Sequence, residues 1–197
     1  MYTLLYSWSK VIFTLGFVWP IVSFITEKIA HRHMLYNGRL PDVVHICTGP
    51  LRNIVKPFSR VKDFIAFFPS IYTAVLLNLL HPELFDSFCN FMCGLVFIRC
   101  LFFTVTILPS SAEGAYSKSR LERIFIGGCH DLIFSGHVSY CYGALLFLQH
   151  HNFVPGFLPL YTSVLIAVVS VILRDHYTVD VLVVYPVVWT WQKYMLK

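Results

Sequence analysis

The 197-residue chain is 57% hydrophobic, only 13% charged, and carries a formal net charge of +5. Soluble domains run to about a quarter charged residues, so this balance excludes an ordinary water-soluble domain and points to a membrane. The modest positive charge reads as basic charge at a membrane surface and excludes a nucleic-acid footprint.

Six apolar segments follow one another at 11–26, 64–80, 85–108, 132–149, 153–173 and 177–192. About 20 residues cross a bilayer core, and about 17 suffice when the ends are anchored. The expectation is an all-α, polytopic six-helix bundle, one domain over 1–197 with its motif-bearing core at about 40–192. The opening run is bulky and has no small-x-small cleavage site, so it reads as a retained first helix and not as a secretory signal. Trp8, Trp189 and Trp191 fit interfacial belts, whereas Trp19 sits deeper. Two breaks are long, 27–63 and 109–131. The turns "HPELFD" and "HHNFVPG" are short, with Pro82, Pro155 and Gly156 suited to them. Of the six cysteines, Cys89, Cys93, Cys100 and Cys141 lie in or beside apolar runs and read as buried thiols. Cys47 and Cys129 lie in polar breaks and could pair in an oxidising compartment. No C-x-x-C occurs, and no metal or cofactor is expected.

Two stretches carry the chemistry, "CHDLIFSGHVSY" at 129–140 and "LRDHYTVDVLVVY" at 173–185. With six spans, the breaks before the fourth and sixth fall on one side of the membrane. His137 and His176 are thereby brought to one face. A histidine at a helix end is commonly just an interfacial residue, and His31, His33, His45, His81, His150 and His151 are read so. Asp180 changes the balance, because a carboxylate one turn inside a membrane helix needs a partner or a cavity. His176 and Asp180 are four apart, one turn on a helix face. Asp180 can then accept a hydrogen bond from His176, fix its tautomer and leave the other ring nitrogen free to attack. His137 is the protonatable partner for a leaving group.

These residues also carry a resemblance. "FSGH" at 134–137 followed by "DHYTVDV" at 175–181 resembles the sphingomyelin synthase branch of the type 2 phosphatidic acid phosphatase superfamily. "CHD" at 129–131 is similar to that family's Cys-Gly-Asp, with His130 in place of glycine. "RCLFFTVTILP" at 99–109 resembles its Arg-Cys segment ending in Leu-Pro, and "LPD" at 40–42 its Leu-Pro-Asp motif. The resemblance implies transfer of a phospho-headgroup between lipids through a phosphohistidine on His176, oriented by Asp180. His137 would serve as acid and then base. It assigns Arg99, Asp131, Ser135 and Gly136 to substrate binding, with Ser135 and Gly136 offering a hydroxyl and backbone N–H groups to phosphate oxygens. Arg174, two before His176, departs from the family as an added cation that either aids binding of the phosphate or anchors the helix end. The implied partners are membrane lipids, a phospholipid donor and a ceramide or diacylglycerol acceptor. The implied location is the Golgi, endoplasmic reticulum or plasma membrane, and self-association stays open.

A lipid phosphatase would use the same residues with water as acceptor. Such enzymes carry Lys-x6-Arg-Pro, and no Arg-Pro dipeptide occurs here. A serine hydrolase using Ser135 lacks a Gly-x-Ser-x-Gly elbow. Repeated histidine boxes of a di-iron enzyme are absent. A non-catalytic lipid-binding relic would have no reason to keep a buried carboxylate. Eleven of the fifteen lysines and arginines lie in breaks on the histidine side, against three on the other. By the positive-inside rule that puts the histidines in the cytosol. The resembled family works on the lumenal or outer face, and cations at a phosphate-handling mouth have a catalytic use, so the lumenal or outer face is expected.

Overall fold

The computed structural model describes residues 2–32, 41–106 and 133–197, with helices and no strand among them. The expectations for Cys129, His130 and Asp131 lie outside the described residues.

The first apolar run forms one rod, α1 (Tyr2–Phe13) and α2 (Trp19–Arg32), joined by a π-helical turn at Thr14–Val18. Pro20 explains the turn: it has no N–H for the Gly16 carbonyl four residues back, so the ladder must widen there. The Trp19 N–H accordingly bonds to Thr14 O, five residues back. The described part of the long break after α2, from 41 onward, is largely helical. It holds α3 (Val43–Cys47) and α4 (Gly49–Val55), then a 3₁₀ turn at Lys56–Phe58. Asp42 starts α3 by accepting the N–H groups of Val44 and His45.

Next come α5 (Ser59–Leu80) and α6 (Pro82–Val105), separated by His81 alone. Pro82 at the first turn of α6 gives up only an N–H that has no intrahelical partner anyway. The remaining helices are α7 (Gly136–His150), α8 (Leu158–Ile172), α9 (Thr178–Leu182) and α10 (Val184–Met195). The sixth expected segment is thus broken. Pro186 cannot donate to Leu182 O, and the chain interrupts at Val183 between α9 and α10.

Among the described residues, three helical stretches are long and apolar enough to cross a membrane: Leu4–Ile29, Gly49–Leu80 and Pro82–Val105. At 1.5 Å per residue, α5 alone reaches about 33 Å, enough for a hydrocarbon core. The other three expected spans appear as shorter helices, of 15 residues each in α7 and α8 and 12 in α10. The difference has a physical reason in α7. That helix is the hub of the bundle, packed against α5, α6, α8 and α10. Eleven of its fifteen residues are buried, so protein and not lipid is its solvent.

Small residues let the helices close on that hub. A side chain on Gly94 would fall 2.1 Å from the Trp191 ring, which crosses α6 there and donates its indole N–H to Phe91 O at 3.0 Å. Phe88, Phe91 and Phe147 fill the space between α6 and α7. At the end of α6 remote from the histidines, Lys10 reaches Asp86 at 2.8 Å and Asn90 at 2.9 Å, tying α1 to α6. The outward faces of α5 and α6 present Phe64, Ile71, Leu101 and Val105. Cys89, Cys100 and Cys141 are buried thiols as expected, Cys93 is half-buried, and Cys47 is exposed and free.

Candidate active site

Helix α8 ends where the site begins. The Asp175 N–H bonds to Ser170 O and the Arg174 N–H to Val171 O, both at 3.0 Å, with Arg174 left-handed at φ 63°. That paired arrangement is how helices commonly stop and turn. His176 and Tyr177 follow as non-helical residues, and α9 starts at Thr178.

His176 is therefore not on the helix that carries Asp180, contrary to the sequence expectation. Asp180 caps its own helix, its Oδ2 accepting the Tyr177 N–H at 2.7 Å. His176 Nδ1 stands 3.7 Å from the same oxygen. That separation is too long for a hydrogen bond. The Asp180 side chain is fully buried and its Oδ1 accepts no hydrogen bond. A carboxylate oxygen left that way is costly, so it is the group with most to gain from a nearby proton.

His137 is the second residue of α7. Before it, Phe134 is buried and left-handed at φ 71°, and Ser135 is fully buried, its Oγ only 3.5 Å from the Val138 N–H it caps. The Ser135 N–H donates to Asp180 O at 3.2 Å, which ties the two motifs together through backbone. The His137 and His176 rings then lie edge to face with centroids 6.0 Å apart. Topology does bring the two histidines together.

Sequence reasoning missed the groups on α5 that face His137. Asp63 Oδ1 lies 3.2 Å from His137 Nε2. Buried Lys62 stands between two carboxylates, 2.8 Å from Asp63 and 2.7 Å from Asp175. Phe67, one turn further on, lies against the His137 ring at 5.1 Å. The signal was present as a Lys-Asp pair opening an apolar run on the histidine side, but nothing local said which helix it would face.

The expected substrate-binding residues divide. Arg99 is buried, its guanidinium 4.4 Å over the Trp19 ring and 4.9 Å over Phe103. It packs against Gly136, where an added Cβ would sit 1.9 Å from Arg99 Nη1. A guanidinium and a helix N-terminus, both positive, thus share one spot, an arrangement that an anion stabilises. Arg174 is half-buried at the turn before His176. Asp131 lies outside the described residues. Gly136→Ala should displace the Arg99 head, lowering stability by about 1–3 kcal/mol and weakening phosphate-bearing ligands. Thermal unfolding in detergent checks the first effect, and inhibition by a soluble phosphodiester checks the second.

One further group reaches the site from α3. Asp42, besides capping α3, accepts the Thr178 N–H at 2.6 Å and its hydroxyl at 2.9 Å. His45, expected as a loop residue, is instead buried, with Nε2 2.9 Å from His176 O and its ring stacked on Tyr177 at 5.6 Å. Burial works to raise the Asp42 carboxyl, but the hydrogen bonds from Thr178 and His45 outweigh it and hold it below its ordinary value. A depressed carboxylate contributes stability at neutral pH that is lost as the pH falls through its lowered value.

Residues 128–195, about a third of the chain, match the family model described as PAP2 superfamily C-terminal. The match supports PAP2 superfamily membership. It spans α7 to α10 and both histidine motifs, and members of this superfamily are typically phosphoryl-transfer enzymes. No curated protein and no solved structure shows significant similarity to the chain.

Proposed function

We propose that the chain is a six-span membrane phosphotransferase that moves a phosphocholine- or phosphoethanolamine-type headgroup from a glycerophospholipid to a ceramide-like or diacylglycerol acceptor. The observation that carries this reading is the buried, half-satisfied Asp180 carboxylate behind His176, with His137 6.0 Å away across the mouth. In this reading the three shorter helices complete the span count inside the bundle. No cofactor is invoked.

The chemistry runs in two displacements. The Asp180 charge 3.7 Å from His176 Nδ1 favours the tautomer protonated there, so the Nε2 lone pair attacks the phosphorus of the donor. The P–O bond to diacylglycerol breaks, and His137 as imidazolium protonates the departing alkoxide. The Asp63 carboxylate at 3.2 Å stabilises that imidazolium. Neutral His137 then takes the proton of the acceptor hydroxyl, whose oxygen attacks phosphorus and breaks the P–N bond. Arg99 and the α7 N-terminus with Ser135 stand where charge on the phosphate oxygens must be held.

The mouth favours a zwitterionic headgroup over a phosphomonoester. Lys62 is shared between Asp63 and Asp175, and with His137 as imidazolium on Asp63 these four groups sum to zero charge. That leaves no excess positive charge among them for a doubly charged phosphate, whereas a zwitterionic headgroup needs none. The absence of an Arg-Pro dipeptide points the same way.

The test is the purified protein in liposomes containing headgroup-labelled phosphatidylcholine and a panel of acceptors. Label should move to a ceramide-like or diacylglycerol acceptor. Release of free phosphocholine alone would assign water as acceptor, and no movement from any donor would end the reading. Because imidazoles and carboxylates carry every step, activity should survive a strong chelator. Loss on chelation with rescue by zinc or magnesium would instead recruit His130, Asp131 and His137 as metal ligands.

A further inference from the structure

The Leu-Pro-Asp motif at 40–42 has no part in the displacements above, yet its aspartate and the histidine three residues on touch the backbone of the nucleophile's own loop. Residues 174–177 belong to neither α8 nor α9. The Arg174 and Asp175 N–H groups return to α8 and the Tyr177 N–H to Asp180, whereas the His176 carbonyl and the Thr178 N–H at the first position of α9 take partners from elsewhere. Both partners come from the start of α3. Asp42 Oδ2 accepts the Thr178 N–H at 2.6 Å and Oδ1 accepts the Thr178 hydroxyl at 2.9 Å. His45 Nε2 lies 2.9 Å from His176 O. A carbonyl can only accept, so that nitrogen carries the proton. The His45 ring also stacks on Tyr177.

His176, Tyr177 and Thr178 are thus each held by α3, and Asp42 uses one carboxylate both to start α3 and to grip the loop. We propose that Asp42 and His45 are positioning residues, a clamp from the first long break that fixes the His176 backbone so that its ring stays between Asp180 and the mouth. The clamp matters because the His176–Asp180 contact, at 3.7 Å, is too long to orient the ring by itself. A nucleophile displaced by about 1 Å loses on the order of 100-fold in rate. This assignment rests on His176 being the nucleophile.

The substitutions separate positioning from packing. His45→Phe keeps a ring on Tyr177 and removes the bond to His176 O, whereas His45→Gln loses the ring and keeps an N–H donor. Asp42→Asn keeps one acceptor for the α3 cap but turns an amide N–H₂ toward Thr178. Turnover of labelled phosphatidylcholine should fall about 10- to 100-fold in kcat for His45→Phe and Asp42→Asn with little change in KM. His45→Gln should recover most of it. The substrate-free readout is ¹⁵N NMR of the histidine rings in detergent micelles. His176 should show one tautomer protonated at Nδ1 in the wild type and His45→Gln, and a mixture in His45→Phe. Wild-type kcat and tautomer in His45→Phe would overturn the clamp. So would equal loss in His45→Phe and His45→Gln, since the ring and not the bond would then matter. If the wild type moves no headgroup but the tautomer still follows residue 45, the clamp stands and the proposed reaction falls.

Discussion

His176→Ala is expected to abolish headgroup transfer while leaving the protein folded. Among the described residues, its ring is the one placed both against Asp180 and across from His137. Without it, no described side chain at the mouth has an imidazole backed by a buried carboxylate. The His176 carbonyl, which bonds to His45, is a tie to the fold that alanine retains. Elution of the variant in detergent and its unfolding temperature should match the wild type, with label transfer at background. Wild-type turnover by His176→Ala would exclude the phosphohistidine route.

Asp180→Asn should come next in size. The amide oxygen can still accept the Tyr177 N–H that caps α9, so the helix start survives. What changes is the face toward His176 Nδ1, where an amide N–H₂ can replace a carboxylate oxygen and favour the wrong tautomer. By analogy with carboxylate-to-amide changes behind catalytic imidazoles, the loss should be on the order of 10³–10⁴-fold in kcat. Burial sharpens the effect, because Asp180 is fully enclosed and no water can substitute for it. Measured kcat with unchanged stability checks this. A loss under about tenfold would mean that Asp180 serves α9 alone.

How much of this was legible in the sequence differs by element. The long apolar runs gave α5 and α6 because period and length suffice for a helix that faces lipid. They made α7, α8 and α10 longer than they are: α7 is enclosed by other helices, and α10 is cut from α9 at Val183. Pro186 announced a break that hydropathy alone does not register. For the site, His137, His176 and Asp180 could be picked out because charge at membrane depth is conspicuous. Their relation was misread. A spacing of four implies one helix face, but the turn at Arg174 keeps His176 off the helix. Lys62, Asp63 and His45 were missed because each matters through a contact more than 70 residues away in the chain.

The central claim is a covalent phosphorus–nitrogen bond at His176. The most direct measurement is a brief pulse of phosphorus-labelled phosphatidylcholine, followed by alkaline quench, digestion and mapping of the labelled peptide. The account predicts label on His176, stable to alkali and released by acid, and absent from His176→Ala. Label on Ser135 in an acid-stable ester, or turnover with no labelled protein, would contradict it.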